Sequence, residues 1–132
     1  MIYHQDIRIE FNHCDPAGIV FYPRYYEMIN SVCEGFFRAL GRSYAEMVAD
    51  QQGVPTVRLE TDFTAPSRLG EVLDFQLTIR RLGGSSATFS ILALGGGVQR
   101  LATLLTLVFV SGGLKAAPWP EDLRARMADY GE

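Results

Sequence analysis

The chain has 132 residues, 48% of them hydrophobic and 20% charged, and a formal net charge of -3. That length suits one domain, residues 1–132, with a real core and is too short for two. Lys and Arg form no cluster, so there is no electrostatic footprint for nucleic acid. Cys14, Cys33, His4 and His13 fall in no metal-type spacing, which argues against a structural zinc site and leaves two free thiols as the expectation.

The N-terminus lacks the charged, apolar and small-residue regions of a signal peptide. The longest apolar run, Leu101 to Val110, is too short to cross a bilayer as a helix. A cytoplasmic protein without a membrane partner is expected.

In chain order, Ile7, Ile9 and Phe11 alternate with Arg8, Glu10 and Asn12, which predicts a first strand ending at the loop that holds Asp15. From Tyr22 the period changes. Tyr22, Tyr25, Tyr26, Ile29, Val32, Cys33, Phe36, Phe37 and Leu40 follow the three-and-four spacing of a helix with one broad buried face. Pro23 suits the first turn and Gly41 the position past the end, so the helix is predicted over Pro23 to Leu40. Gly35, inside it, costs about 1 kcal/mol relative to Ala and suggests close packing against a neighbouring backbone. A shorter helix is predicted over Ser43 to Asp50.

Period two then returns. Val57, Leu59, Thr61 and Phe63, then Leu73, Phe75, Leu77 and Ile79, then Ala87, Phe89, Ile91 and Ala93 each mark a strand with one face on a core. Val98 to Val110 is apolar on both faces and reads as a central strand. Gly83-Gly84-Ser85 and Gly95-Gly96-Gly97 favour antiparallel hairpins, and Pro120 to Tyr130 reads as a terminal helix. The expected architecture is α+β, a curved five-stranded antiparallel sheet wrapped around one long helix.

Asp15 thus sits between the first strand and the N-terminus of the buried helix. Unpaired N–H groups in a first helical turn stabilise negative charge, and a nearby carboxylate can attack a carbonyl or activate water. Ile19, Val20 and Phe21 would supply an apolar wall. Asp-Pro-Ala-Gly is equally a turn sequence, in which Asp bonds its own backbone and Gly takes positive φ. Both readings stand on the residues alone. His13 could orient Asp15 or simply be solvated. Cys14 has no basic partner beyond His13 and makes a poor nucleophile.

The run Asp15-Pro16-Ala17-Gly18-Ile19-Val20-Phe21-Tyr22-Pro23 resembles the signature of the 4-hydroxybenzoyl-CoA thioesterase family of hotdog-fold proteins. There an Asp, x-x-Gly-x-Val, a Tyr-Pro and an aromatic-rich helix occur in this order. Phe63 to Glu71 and Gly84 to Ser86 extend the resemblance along most of the chain. It implies hydrolysis of an acyl-CoA without metal or redox cofactor, coenzyme A being part of the substrate. Asp15 would be nucleophile or general base, and the backbone N–H of Tyr22 would polarise the thioester oxygen. Gly18, Ile19, Val20, Phe21, Tyr25 and Asn30 would line the substrate site, with Phe63 and Thr64 reached from a partner chain. A homodimer is the minimum implied and a homotetramer is common.

The chain departs from the family where specialised members carry basic residues for the nucleotide phosphates, because Gly83, Gly84 and Ser85 stand there. Arg80 and Arg81 precede that turn as a surface pair. The competing readings are an acyl carrier protein thioesterase, for which Arg80, Arg81 and Arg100 are a sparse docking patch, and a non-catalytic acyl-CoA-binding protein.

Overall fold

The computed structural model describes residues 1–132. Along the chain run β1 (Tyr3–Arg8), a 3-10 turn (Phe11–His13), α1 (Pro23–Ala39), α2 (Tyr44–Ala49), β2 (Gln52–Gly53), β3 (Thr56–Phe63) and β4 (Val72–Leu82). There follow β5 (Ser86–Gly95), β6 (Val98–Val108), β7 (Val110–Ser111), β8 (Lys115–Ala116) and α3 (Glu121–Ala128). The main sheet has five strands in the order β1-β4-β5-β6-β3, all paired antiparallel.

The three-and-four spacing of α1 is read out directly in its packing. Met28, Ile29, Val32, Cys33, Phe36 and Phe37 are buried in one core with Leu73, Phe75, Leu77, Phe89, Ile91, Leu101, Leu105 and Leu107 of the sheet. Each large side chain buried this way contributes about 1.5–3 kcal/mol. Pro23 opens the helix, where its missing N–H costs nothing. At the other end Gly41, at φ +83°, lets the Gly41 and Arg42 N–H groups return to the carbonyls of Arg38 and Phe37 and stop the helix. The short α2 begins with reciprocal bonds between Ser43 and Glu46.

Four features differ from the pattern read in the sequence. The first strand lies earlier, ending at Arg8, and Phe11 is 83% exposed instead of facing the core. The cause is local: Glu10 and His13 cap each other across a 3-10 turn, which breaks the period of two. On β3, Leu59 and Phe63 stand opposite Leu105 and Leu101, on the α1 side of the sheet, yet both remain exposed, as does Val57. β3 is an edge strand with no neighbour on its outer side, and a register shift between Thr56 and Arg58 takes Val57 out of the pairing.

Gly35 meets side chains, not a neighbouring backbone. A methyl group there would fall 2.5 Å from the Tyr3 hydroxyl and against the Gln5 amide oxygen, both carried by β1. Finally, β2, β7 and β8 form a second, three-stranded sheet. Strands of two residues carry no readable periodicity. Below it Trp119 stacks on Phe37 and packs against Phe109, its Nε1–H donating to the Ser86 carbonyl.

Candidate active site

The loop between the 3-10 turn and α1 is built by backbone pairing at both ends. Asp15 N–H donates to Ile19 O at 3.1 Å and Phe21 N–H to His13 O at 2.9 Å, closing a small antiparallel bridge. Inside it Gly18, at φ +79°, donates its N–H to Asp15 O, and Ala17 N–H donates to Asp15 Oδ1 at 2.9 Å. The turn that Asp-Pro-Ala-Gly encodes is therefore present. It occupies one carboxylate oxygen of a half-buried Asp15, and Oδ2 accepts no hydrogen bond within the chain.

At the start of α1 the donors can be counted. Arg24 and Tyr25 N–H groups return to the Phe21 and Tyr22 carbonyls, and Pro23 has no N–H. The backbone N–H of Tyr22 has no acceptor in the chain. It stands at the positive end of a 17-residue helix dipole, where a developing oxyanion is stabilised.

The other anticipated residues separate into groups. Val20 is buried in the main core, Ile19 is half-buried, and Phe21 and Tyr22 are 48% and 58% exposed. The apolar wall expected of the loop is thus supplied only in part. Phe63 lies against the rings of Tyr22, Tyr25 and Tyr26 of its own chain, with centroids 6.1, 5.7 and 6.3 Å away. Thr64 is exposed and its hydroxyl donates to Gln99 O.

Tyr25 is buried, and its hydroxyl donates to Ser67 Oγ at 2.9 Å. Burial raises its pKa. His13 does not reach toward Asp15 for its bond; its Nδ1 accepts the Glu10 N–H at 2.9 Å. No three His, Cys, Asp or Glu side chains converge into a group that could hold a metal ion.

Asn30 lines an apolar cavity of about 410 Å³ with Ile29 and Cys33 of α1, Met47 of α2, Leu59 of β3, and Leu105 and Leu107 of β6. Neither Asp15 nor Tyr22 lines it, but Tyr26, one helical turn after Tyr22, does. The cavity therefore begins one turn from the free N–H and runs along α1 for about two turns. Such a size and lining suit the apolar part of a small-molecule ligand.

Sequence reasoning missed one cluster. Arg100 is 8% exposed and forms a two-point ion pair with Glu71, at 3.0 and 2.7 Å, so it is no part of a surface docking patch. The Arg100 guanidinium, together with the backbone N–H of Arg68, holds the Glu71 carboxyl down at about 2.

A family model described as the thioesterase superfamily matches residues 17–98, from the Asp15 loop through β5. The chain belongs to the thioesterase superfamily. Its fold is the hotdog fold of that superfamily, an antiparallel sheet with few helices. A 4-hydroxybenzoyl-CoA thioesterase of Pseudomonas sp. (strain CBS-3) is 29% identical over 76 residues, 55% of this chain and 54% of that protein, so the match spans about half the length of the relative.

Two solved structures superpose over nearly the whole chain. A gentisyl-coenzyme A thioesterase is 27% identical with a TM-score of 0.86, covering 96% of this chain and 99% of the other. A 1,4-dihydroxy-2-naphthoyl-CoA thioesterase from Synechocystis is 18% identical with a TM-score of 0.89, covering 98% and 97%, and speaks for the fold alone.

Proposed function

We propose that this superfamily member hydrolyses an acyl-CoA, aromatic or of short to medium chain, to the free acid and coenzyme A. The observation that carries the reading is the unpartnered Tyr22 N–H at the head of α1, one short loop from a carboxylate with a free oxygen. The thioester oxygen takes the Tyr22 N–H, and charge grows on it as the carbonyl carbon becomes tetrahedral. Asp15 either attacks that carbon, expelling the thiolate and forming an anhydride that water opens, or takes a proton from the attacking water. Both routes consume one water and release one acid and one thiol, so neither requires a metal or redox cofactor.

The aromatic acyl group is favoured by the likeness to a 4-hydroxybenzoyl-CoA thioesterase and a gentisyl-coenzyme A thioesterase. The cavity beside Asn30 supplies an apolar place for it without any charged side chain. Phe21, Tyr22 and Phe63 are exposed around the head of α1, which supports a site completed by a second subunit, a homodimer at least and a homotetramer in the fuller reading. An acyl carrier protein as the leaving group is less supported, since Arg100 is buried and Arg80 is paired with Glu132.

The test is thiol release from benzoyl-, 4-hydroxybenzoyl-, phenylacetyl- and straight-chain acyl-CoAs, for the wild type and Asp15→Asn in parallel. Turnover that falls by about 10²–10⁴-fold in the variant, with substrate still bound, is expected. No hydrolysis of any ester by the wild type overturns the assignment and favours a binding role, and equal rates in the two proteins remove Asp15 as the catalytic group.

A further inference from the structure

Three segments far apart in the sequence meet in one buried polar cluster behind the Asp15 loop. Tyr25, in the first turn of α1, donates its hydroxyl to Ser67 Oγ at 2.9 Å, and Ser67 is fully buried. Arg100, near the start of β6, donates to Ser67 Oγ at 3.3 Å, to the Pro66 carbonyl at 2.9 Å, to the Gly95 carbonyl at 3.0 Å and to both oxygens of Glu71. The segment from Pro66 to Glu71 is thereby fixed from behind. The same segment holds the candidate catalytic loop at Val20, whose N–H donates to Ser67 O at 2.9 Å, and holds the chain ahead of the 3-10 turn at Ile9, whose N–H donates to Glu71 O at 2.8 Å and whose carbonyl accepts the Gly70 N–H at 2.8 Å.

We propose that Tyr25, Ser67, Arg100 and Glu71 act as one positioning unit that sets the Asp15 loop against the first turn of α1. The inference rests on the roles given above to Asp15 and the Tyr22 N–H. None of the four side chains is assigned contact with the reacting atoms. The unit ties together the two segments that carry those groups: α1 through the Tyr25 hydroxyl, and the loop through the Ser67 carbonyl.

Stability alone is a poor account of the cluster. Arg100 is buried while the Glu71 side chain stays 34% exposed, so the cost falls on desolvating the guanidinium, and apolar residues of similar volume commonly serve a core as well or better. Here Arg100 Nε is also buried without a partner, a further cost that an apolar residue would avoid. What an apolar replacement cannot supply is a set of directional bonds reaching Pro66, Ser67, Glu71 and Gly95 at once. Reaction rates depend steeply on placement, a displacement of about 1 Å costing on the order of 10²-fold, so fixing the relation between carboxylate and oxyanion donor is where such bonds matter.

Tyr25→Phe and Ser67→Ala each remove the hydroxyl link while keeping the fold's apolar packing, and Thr88→Val, on the far face of the sheet where Thr88 bonds Thr106, serves as the control. With the substrate found by the thiol-release panel, each link variant is expected to lower kcat about tenfold with KM within about twofold. The double variant should lose no more than Ser67→Ala alone, because that change already removes the Tyr25 bond together with the Arg100 bond to the same hydroxyl. The control should match the wild type.

Amide hydrogen exchange on the unliganded protein provides a readout that needs no turnover. Protection at Asp15, Val20 and Phe21 should fall about tenfold in both link variants and in neither the wild type nor the control, while amides of β4 and β5 stay unchanged. Unchanged exchange in the loop overturns the positioning role even if the wild type hydrolyses nothing. Loop exchange that rises while kcat is unmoved in an active enzyme overturns it as well. Absence of wild-type turnover with the loop loosened as described leaves the positioning unit standing and removes the thioesterase reading instead.

Discussion

Glu71 carries the clearest titration signature in the chain. Its carboxyl is held at about 2 against an ordinary 4.5, first by hydrogen bonds from Arg100 and then by the Arg68 backbone N–H. A depressed folded-state pKa means that the ionised form is favoured by folding, so its contribution is complete above pH 4.5 and is lost as the pH falls from 4.5 toward 2. Urea denaturation followed across pH 2–6 should therefore show a steep acid loss in the wild type over that window. Glu71→Gln should show a lower plateau and a shallower slope there; parallel curves for the two proteins would refute the assignment.

Cys33 gives a second prediction at this scale. Burial pushes its thiol up to about 12, so at pH 8 it should resist a thiol reagent in the folded protein and react only after denaturation, as mass spectrometry of labelled peptides can read. Asp15 and its turn were legible in the sequence because Asp-Pro-Ala-Gly encodes a local conformation. Arg100 was not, since its partners Ser67 and Glu71 lie about thirty residues away and no local pattern marks a long-range ion pair.

Helices show how far local signals extend. α1 was legible from spacing and end signals, because Pro23 and Gly41 act within one turn of where they stand, and α2 begins within the predicted range at a Ser43–Glu46 pair that acts as locally. Ser43→Ala removes the hydroxyl that accepts the Glu46 N–H at 3.2 Å and should destabilise the protein by about 1 kcal/mol in denaturant titration. α2 also places Met47 and Tyr44 on the cavity wall, so KM for the preferred substrate should rise in the same variant while Asp15-dependent chemistry persists.

Strands were legible where both neighbours exist. β4, β5 and β6 bury alternate residues because the core lies on one face, whereas the alternation of β3 pointed to a face that its own chain leaves exposed. The first strand was misplaced for a related reason: Tyr3 and Gln5 on β1 face Gly35 of α1 with polar groups, so the inward positions are not marked by hydrophobicity.

The exposed face of β3 is a property of the molecule as a whole. An edge strand eight residues long with only Thr61 less than exposed, its last residue Phe63 packed against the exposed Tyr22, is a surface that soluble proteins normally pair, cover or charge. Arg58, Glu60 and Asp62 place charge on the outer face of the sheet, opposite Thr106, Leu104 and Ala102, and leave the α1 side apolar. Pairing of β3 with β3 of a second copy would satisfy the free backbone groups and bring the two apolar sides together beside both copies of the α1 head. Val57 tests this because it is 62% exposed and out of register in the chain, so Val57→Lys should change the stability of the isolated fold by no more than about 0.5 kcal/mol. A lysine on the edge does, however, oppose pairing with another strand. Sedimentation should show the wild type as a dimer or larger and the variant with a reduced mass, and hydrolysis should fall with the mass. A wild type that sediments as a monomer and hydrolyses its substrate, or a variant that dissociates with full activity, would show that one chain holds a complete site.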